Sequence, residues 1–560
     1  MIAGNGNSFL YPRIGTLLTE AINVDLRPIN NSKIIGRGTW YDKAAEELVE
    51  REKKLGRDLS LLRTESGLGA SGFPHIGSLA DAMRNYAITL ALRNIGYQSE
   101  YLAFADDKDG LRKVPAGLPD ELEKWLGYSV STIPDPFGGC HSSFGQHMVS
   151  LLKEALNVNG VEYVDMSGYK VYRDGLLNEE IVTIMDNRER IGRIIEEEIG
   201  QEKYTEVLPY FVVCENCGRI YTTHALEYKK STHTITYECR GMEVKGRWLE
   251  GCGHKGEVEV TSGNGKLSWK VEFAARWHAL DIRFEAYGKD IADSVRVNDR
   301  ICREIFKWEP PMHVQYEMFL DRGGKKISKS AGNVFTPQVW YRYGSKESLN
   351  LLIYKRFVGT KSGSVEDIPV HMDELDDLED IYFGKKKVGD DLEHYKQTGL
   401  YEYAHLLKPP TEPQIHAPFN LMVKLARVAP KGAEAEFIKA KLEEYQYLKE
   451  TSNGLGERVS RALNWVQDFS EDEPEKVELS DAQRAAIRAV AERLREAENL
   501  EEYQAVIFDV SKAMSMKPRD VFPLVYQILI GRPQGPRFGP YVELVGKETV
   551  IKELERSLRD

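Results

Sequence analysis

Cysteine is scarce in this chain, six residues among 560, which excludes a disulfide-stapled scaffold. Long apolar runs are missing as well. None approaches the length of a membrane span and the N-terminus has no signal-peptide-like core, so cytoplasmic residence without a membrane partner is the expectation. Nor is positive charge in excess: 75 Lys and Arg face 87 Asp and Glu, a formal charge of −12. The chain as a whole thus lacks the basic signature of a nucleic-acid binder, although a large protein can focus positive potential in one groove. Neither the Walker nor the dinucleotide phosphate-loop pattern is expected here. What is present is enough chain for two or more domains with proper cores, at an ordinary apolar content of 42%. Residues 1–38, rich in Gly and Asn with few periodic cues, read as an N-terminal arm, and a charged helical pattern follows over 40–55.

The stretch Gly67-Leu68-Gly69-Ala70-Ser71-Gly72-Phe73-Pro74-His75-Ile76-Gly77-Ser78 follows an apolar pair and precedes apolar residues at helical spacing over 79–92. It reads as a strand, a glycine-rich turn and a helix start, with Ser78 as the expected N-cap. Glycine permits close backbone approach, and the free amides of a helix start face an anion. A surface loop would show the same local pattern. Far downstream stands Gly323-Gly324-Lys325-Lys326-Ile327-Ser328-Lys329-Ser330-Ala331-Gly332-Asn333, whose lysines on a glycine-bounded loop can bring point charges to phosphate. The ordered pair resembles the His-Ile-Gly-(His or Asn) and Lys-Met-Ser-Lys-Ser motifs of class I aminoacyl-tRNA synthetases, here HIGS and KISKS. In finer detail the chain resembles the class I lysyl-tRNA synthetase family. The residues that carry this are Asp106-Asp107-Lys108-Asp109, Arg112-Lys113-Val114-Pro115, Pro134-Asp135-Pro136, Cys140-His141 and Gly288-Lys289-Asp290, and the likeness is strongest over 64–384.

Asp106, Asp107 and Asp109 follow a second expected strand, 97–104, where an open α/β sheet places ligand groups; an acidic turn has the same spacing. Residues 134–139 must be a loop. A charged helix through 188–198 offers Arg188, Arg190 and Arg193 either to RNA phosphate or to solvent. Cys214 and Cys217 form a Cys-x2-Cys turn between short apolar runs, and Cys239 and Gly251-Cys252-Gly253-His254 come later. That spacing suits a structural zinc ribbon with Cys214, Cys217, Cys239 and either Cys252 or His254 as ligands, the alternative being free thiols on a hairpin. Residues 266–273 alternate as a strand carrying Trp269, 282–286 as another that ends at Tyr287, 300–307 as a helix and 313–320 as a strand leading into KISKS. Beyond about 370 helical patterns dominate, with Ser480-Asp481-Ala482-Gln483 as a capping box.

The resemblance implies an α/β protein: a Rossmann-like catalytic domain with a zinc-ribbon-like insertion, followed by an all-α anticodon-binding domain. The expected division is an arm (1–38), a first catalytic part (39–140), the insertion (141–260), a second catalytic part with the KISKS loop (261–365) and the helical domain (366–560). It gives catalytic roles to His75, Ser78, Lys326 and Lys329, and ATP contacts to Gly72, His75, Gly77, Asp290, Lys326, Ser328 and Lys329. Amino-acid contacts fall to Gly67, Gly69, Asp106, Trp269 and Tyr287. The implied reaction attaches L-lysine to tRNA(Lys) through a lysyl-adenylate, with ATP accompanied by Mg2+ and a structural Zn2+ in the insertion. Two departures stand out: Ile291 follows Gly288-Lys289-Asp290 where many members have histidine, and Gly69 stands where many have threonine. Both remove polar contacts near the expected amino acid, so a glutamyl-tRNA synthetase and a catalytically altered RNA-binding homologue stay open as alternatives.

Overall fold

The computed structural model describes residues 35–317, 319–320, 335–355, 361–414, 416–447, 454–469, 479–530, 533, 535 and 537–558. The KISKS loop, with Lys326, Ser328 and Lys329, and most of the N-terminal arm lie outside the described residues.

The chain enters through the helix Trp40–Lys54, opened by a reciprocal capping box between Thr39 and Asp42. Strand β1 (Leu62–Leu68) follows, then the helix Ile76–Asn94, β2 (Ser99–Ala105), the helix Phe144–Asn159 and β3 (Val164–Ser167). The next segment carries β4 (Tyr210–Val212), β5 (Thr223–Lys229), β6 (Thr234–Cys239), β7 (Gly241–Val244), β8 (Arg247–Glu250), β9 (Lys255–Glu259) and β10 (Gly265–Leu267). The main sheet resumes with β11 (Ile282–Gly288) and β12 (Met312–Tyr316). Its five strands lie in the order β12-β11-β1-β2-β3, all parallel. The order reverses at β1, so a crevice opens beyond the C-terminal ends of β1 and β11.

Strands buried on both faces usually read as apolar runs, yet β1 is Leu-Arg-Thr-Glu-Ser-Gly-Leu. Two of its polar side chains are hydrogen-bonded internally: Thr64 Oγ1 donates to the Asn85 carbonyl at 3.2 Å and meets Thr89 Oγ1 at 2.8 Å, while Ser66 Oγ lies 2.6 Å from Tyr101 OH. The helix Ile76–Asn94 covers this strand with Leu79, Met83, Tyr86, Ala87 and Leu90, all buried. Each large apolar side chain there contributes about 1.5–3 kcal/mol relative to exposure. Gly96, at φ +93°, turns the chain from that helix into β2, a conformation a side chain would strain.

The inserted module pairs β5-β6-β9 into an antiparallel sheet, β7 with β8 into a hairpin, and β4 with β10 where the insertion leaves and returns. Preceding it, the helix Arg188–Ile199 engages its arginines in ion pairs and stacking: Arg190 with Glu197 at 3.1 Å and with Glu304, and Arg188 over the Tyr228 ring. From Pro337 to Arg556 the described residues are almost wholly helical. Ser480 and Gln483 form the expected capping box on the helix Asp481–Glu496. Among the described residues no helix is long and apolar enough to cross a membrane.

Three expectations are corrected. Residues 266–273 are not one strand: β10 ends at Leu267 and a helix runs Trp269–Ala279, because the Ser268 hydroxyl accepts the Lys270 N–H at 3.2 Å and caps it. Trp269, Phe273 and Trp277 then recur at helical spacing, ring centroids 5.8 and 5.9 Å apart. The helix expected over 300–307 starts earlier, at Ala292, and its last turn, Cys302–Phe306, widens to π-helical geometry before Lys307 at φ +54°. Ser78 does not cap the helix of the glycine-rich loop; His75 does.

Candidate active site

The loop between β1 and its helix ends in a reciprocal cap. His75 is the N-cap residue; its Nδ1 accepts the Ser78 N–H at 3.1 Å, and Ser78 Oγ accepts the His75 N–H at 3.5 Å. A ring nitrogen that accepts from an amide carries no proton, so the neutral imidazole holds its proton on Nε2 and is a donor there. Ser78 therefore orients the histidine as the third residue of the helix. The Ile76 N–H is bound by the Phe335 carbonyl at 2.8 Å, which fixes the loop against the segment that follows KISKS. Gly67 near the end of β1, Gly69 and Gly72 in the loop, His75 at the cap and Gly77 in the first helical turn thus follow one another at the sheet's C-terminal edge, with Asp106 just after β2 and Tyr287 and Asp290 at the end of β11. Gly67, Gly69 and Gly72 also stand at Gly-x-Gly-x-x-Gly spacing between a strand and a helix, which corrects the expectation that the dinucleotide pattern is absent.

Beneath this turn lies a buried charge network. A Cβ placed on Gly67 would come within 2.9 Å of Asp106 Oδ2, so only glycine lets the carboxylate rest against β1. Asp106 Oδ1 accepts from Arg276 Nη1 at 3.0 Å, and the same guanidinium pairs with Glu65 of β1. Lys266 pairs with Asp109 and, at 2.9 Å, with Glu272. Trp277 Nε1–H donates to Glu285 of β11 at 2.5 Å. Five carboxylates, Glu65, Asp106, Asp109, Glu272 and Glu285, therefore share two cations, Arg276 and Lys266. Burial pushes the Asp106 carboxyl up to about 7 against the pull of Arg276, and pushes Glu285 up to about 8, reinforced by Glu65. The crevice floor is proton-hungry and short of positive charge.

Asp106 and Trp269 are expected from the sequence, whereas Arg276, Glu272, Lys266, Glu65 and Glu285 are not. At the helical period of 269–279, Glu272 and Arg276 form an i, i+4 pair beside the aromatic stripe, with Arg276 over the Phe273 ring. Tyr287 packs edge-on to His313, ring centroids 5.6 Å apart. His313 Nε2 in turn lies 3.0 Å from Asp299 Oδ1.

In the insertion the four thiols of Cys214, Cys217, Cys239 and Cys252 converge within 4.8 Å of one another. Cys214 and Cys252 sulfurs are 3.6 Å apart, those of Cys217 and Cys239 3.8 Å. A tetrahedron with zinc–sulfur bonds of ~2.3 Å has edges of about 3.8 Å, so the set fits one zinc ion. His254 stands outside the cluster, facing Glu215 at 3.9 Å. Cys239 and Cys252 flank the β7–β8 hairpin, which hangs from the cluster. A second convergence was not expected from the sequence: Asp135, Cys140, His141 and His147 bring one ligand atom each within 4.8 Å of one another. Cys140 Sγ is 3.2 Å from His141 Nδ1 and 3.4 Å from His147 Nδ1, and the two imidazoles face each other at 3.2 Å through Nδ1. A mixed sulfur, nitrogen and oxygen set of this kind can hold a borderline divalent ion such as zinc. Its signal was the Asp-x4-Cys-His-x5-His spacing.

A parallel sheet with a helix-start anion site at its switch point, joined to a helical C-terminal region, defines a class of protein, and comparison with known families agrees with it. The family model for class I tRNA synthetases (K) matches residues 38–406, and that for an anticodon binding domain matches 420–558. The chain belongs to the class I tRNA synthetase (K) family. Among its relatives are a lysine–tRNA ligase of Cenarchaeum symbiosum, 48% identical and covering 92% of this chain and 98% of that one, and those of Methanosphaera stadtmanae and Methanocaldococcus jannaschii, 31% and 32% identical over the same shares.

Proposed function

We propose that this protein is an ATP-dependent lysine–tRNA ligase that forms lysyl-adenylate and passes lysine to tRNA(Lys). The observation that carries the proposal is the pairing of opposite fields in one crevice. The capped helix start with the Nε2 donor of His75 faces anions, while the floor under Gly67 holds five carboxylates against two cations. A substrate with an ammonium side chain and a carboxylate that attacks phosphate matches both. A glutamate side chain would bring one more carboxyl group to a floor where carboxyls already outnumber cations.

No protein nucleophile is required: the lysine carboxylate attacks the α-phosphate of ATP, which binds with Mg2+, and pyrophosphate leaves. His75, with the amide of Gly77, steadies the charge growing on phosphate, Ser78 keeps the imidazole oriented, and Gly72 lets the nucleotide approach the backbone. Lys326, Ser328 and Lys329 supply the cationic side of the phosphate site, and Asp290 the nucleotide contact beyond β11. Asp106, held by Arg276, receives an ammonium group, with Trp269, Tyr287, Gly67 and Gly69 shaping the walls. The terminal ribose 2′-hydroxyl of the tRNA then takes the lysyl group and AMP departs. Cys214, Cys217, Cys239 and Cys252 hold a structural zinc, and Asp135, Cys140, His141 and His147 a second divalent ion. Neither set lies among the reacting groups. ATP–pyrophosphate exchange with each of the twenty amino acids, with and without bulk tRNA, tests the proposal: lysine alone should support exchange, and exchange driven by glutamate, or by none, would overturn it.

A further inference from the structure

A cavity of about 500 Å³ opens between the start of the helix Trp40–Lys54, the end of the helix Lys346–Tyr354 and the helix Asp391–Ala404. Its floor is aromatic: Tyr41 and Tyr354 are buried, with ring centroids 5.3 Å apart. Its walls are apolar and half-open. The helix Asp391–Ala404 contributes Leu392, Lys396 and Leu400 at four-residue spacing, one stripe of its surface, and both leucines are partly exposed. Trp40, likewise partly exposed, lines the cavity from the first helix. The charge there is of one sign. Lys43, Lys355 and Lys396 line the cavity, and among the described residues no carboxylate does. Lys355 pairs with Glu374, and Lys43 with Glu47 at 3.6 Å, a solvent-exposed pair that holds the ammonium only weakly. Lys396 has no ion pair among the described residues.

Apolar walls ringed by cations call for an occupant that is apolar and negatively charged. The chain carries such a segment next to the cavity. Ile35 lines the cavity and is the first described residue. Upstream of it, Leu17-Leu18-Thr19-Glu20-Ala21-Ile22-Asn23-Val24-Asp25-Leu26 holds five large apolar residues and the only two carboxylates of residues 1–34, Glu20 and Asp25. The basic residues Arg13 and Arg27 stand outside it. Residues 27–34 join this segment to Ile35, and eight extended residues span at most about 26–29 Å, long enough to fold back over a cavity whose edge includes Ile35. We propose that segment 17–26 docks in this cavity, its apolar side chains against Trp40, Leu392 and Leu400 and its carboxylates beside Lys396, Lys43 and Lys355. The short tether supplies much of the affinity, because it holds the segment at an effective concentration on the order of millimolar. The docked arm straps the first helix to the helix Asp391–Ala404, two elements already joined by the Tyr403–Asp42 hydrogen bond at 2.8 Å. Docking does not depend on the aminoacylation proposed above.

The test uses a zero-length carbodiimide on the full-length protein, since this reagent forms an amide only between a carboxylate and an amine in contact, and peptide mass spectrometry then locates the bond. Glu20 or Asp25 should be joined to Lys396, Lys43 or Lys355. The double variant Leu18→Ser with Ile22→Ser keeps both carboxylates and the tether, and should lower the yield of these cross-links about tenfold, the equilibrium cost of losing the burial of one apolar side chain of that size. A yield that the serine variant keeps overturns the proposal, because the tether alone then accounts for the contact. Cross-links absent from the intact protein, or made mainly to lysines elsewhere, overturn it as well. An equal mixture of nitrogen-15-labelled and unlabelled protein separates one chain from two: both halves of each cross-linked peptide should carry the same isotope, and mixed pairs would assign the cavity to a second copy's arm. A native mass showing a small organic anion bound to the protein, and lost on Lys396→Gln, would give the cavity to a different occupant and likewise overturn the docking.

Discussion

His75 joins two jobs that substitution can separate. It caps the helix Ile76–Asn94 through Nδ1 and presents a proton on Nε2. Asparagine is among the best N-caps, so His75→Asn should leave the melting temperature within a degree or so of the original while slowing ATP–pyrophosphate exchange about 10²–10³-fold, the cost of a lost transition-state donor. Equal exchange rates would remove His75 from the chemistry. Glu285 yields a pH test. Its carboxyl stays protonated up to about 8 in the folded protein because it is buried beside Glu65, whereas in the unfolded chain it ionises near ~4.3. The folded state therefore binds the extra proton between those values, and stability falls as pH rises from about 4 to 8, then levels off. Glu285→Gln removes that contribution. Thermal unfolding from pH 5 to 8 should decline less steeply in the variant, and parallel slopes would refute the assignment.

Among elements, the inserted module depends on its cysteines more than on its apolar core. Its strands are three to seven residues long and much of their surface is exposed, so the proposed zinc would cross-link β4, β6 and the end of β8 and supply stability that burial does not. Cys214→Ser or Cys239→Ser should lower zinc content by about one equivalent, as expected for a four-ligand site that loses one thiolate, and should open the module to proteolysis at lower temperature. The preference for lysine in exchange should survive, because Glu65, Asp106 and Glu285 stand on or just after strands of the main sheet. Full zinc retention in both variants would show that these thiols hold no metal. The helix Trp269–Ala279 is the other element on which the site turns. Arg276 at its buried end neutralises Glu65 and Asp106 together, so Arg276→Met should destabilise the protein by about 3–5 kcal/mol, the cost of leaving a buried partner uncompensated. Chemical denaturation measures this, and a loss below 1 kcal/mol would mean that the carboxyls simply take up protons.

At the scale of the molecule, the proposed function has an acidic chain meet tRNA through local fields and through the helical region that matches an anticodon binding domain. The five helices from Asp481 to Arg556 pack on one another: Gly539 lies against Leu500 and Gln504, and Lys547 Nζ donates to the Arg495 and Ala497 carbonyls. Helices before Asp468 instead lean on the catalytic part, as in Arg458 with Asp376 and Arg342 with Asp468. Tyr403 reaches back to Asp42 at 2.8 Å, so the stretch around 400 belongs physically with the first helix. Ending the chain at residue 469 should thus leave a core that still unfolds cooperatively but binds tRNA more weakly, with a shallower dependence of affinity on salt. A stable truncate with undiminished tRNA affinity would place recognition elsewhere.

Several features were legible in the residues alone because they depend on local chemistry: the glycine-rich turn before a helix, the Cys-x2-Cys pair, the capping box at Ser480 and the family motifs. Helix and strand periods also served where a segment was long, as in 40–54 and 76–94. Where two patterns overlap within a few residues, as at 266–273, alternation could not be told from the first turn of a helix, and the hydroxyl of Ser268 decided it. Tertiary structure alone decided which charges meet. Glu65, Asp106 and the stretch from Arg276 to Glu285 are far apart in the chain and become one network because parallel pairing sets β1 beside both β2 and β11 while a helix lowers a guanidinium onto them. The same closure chose Cys252 over His254 for the sulfur cluster and gathered Asp135, Cys140, His141 and His147. Sequence spacing fixes what a residue can offer, but distances across strands and loops follow only from the packed fold.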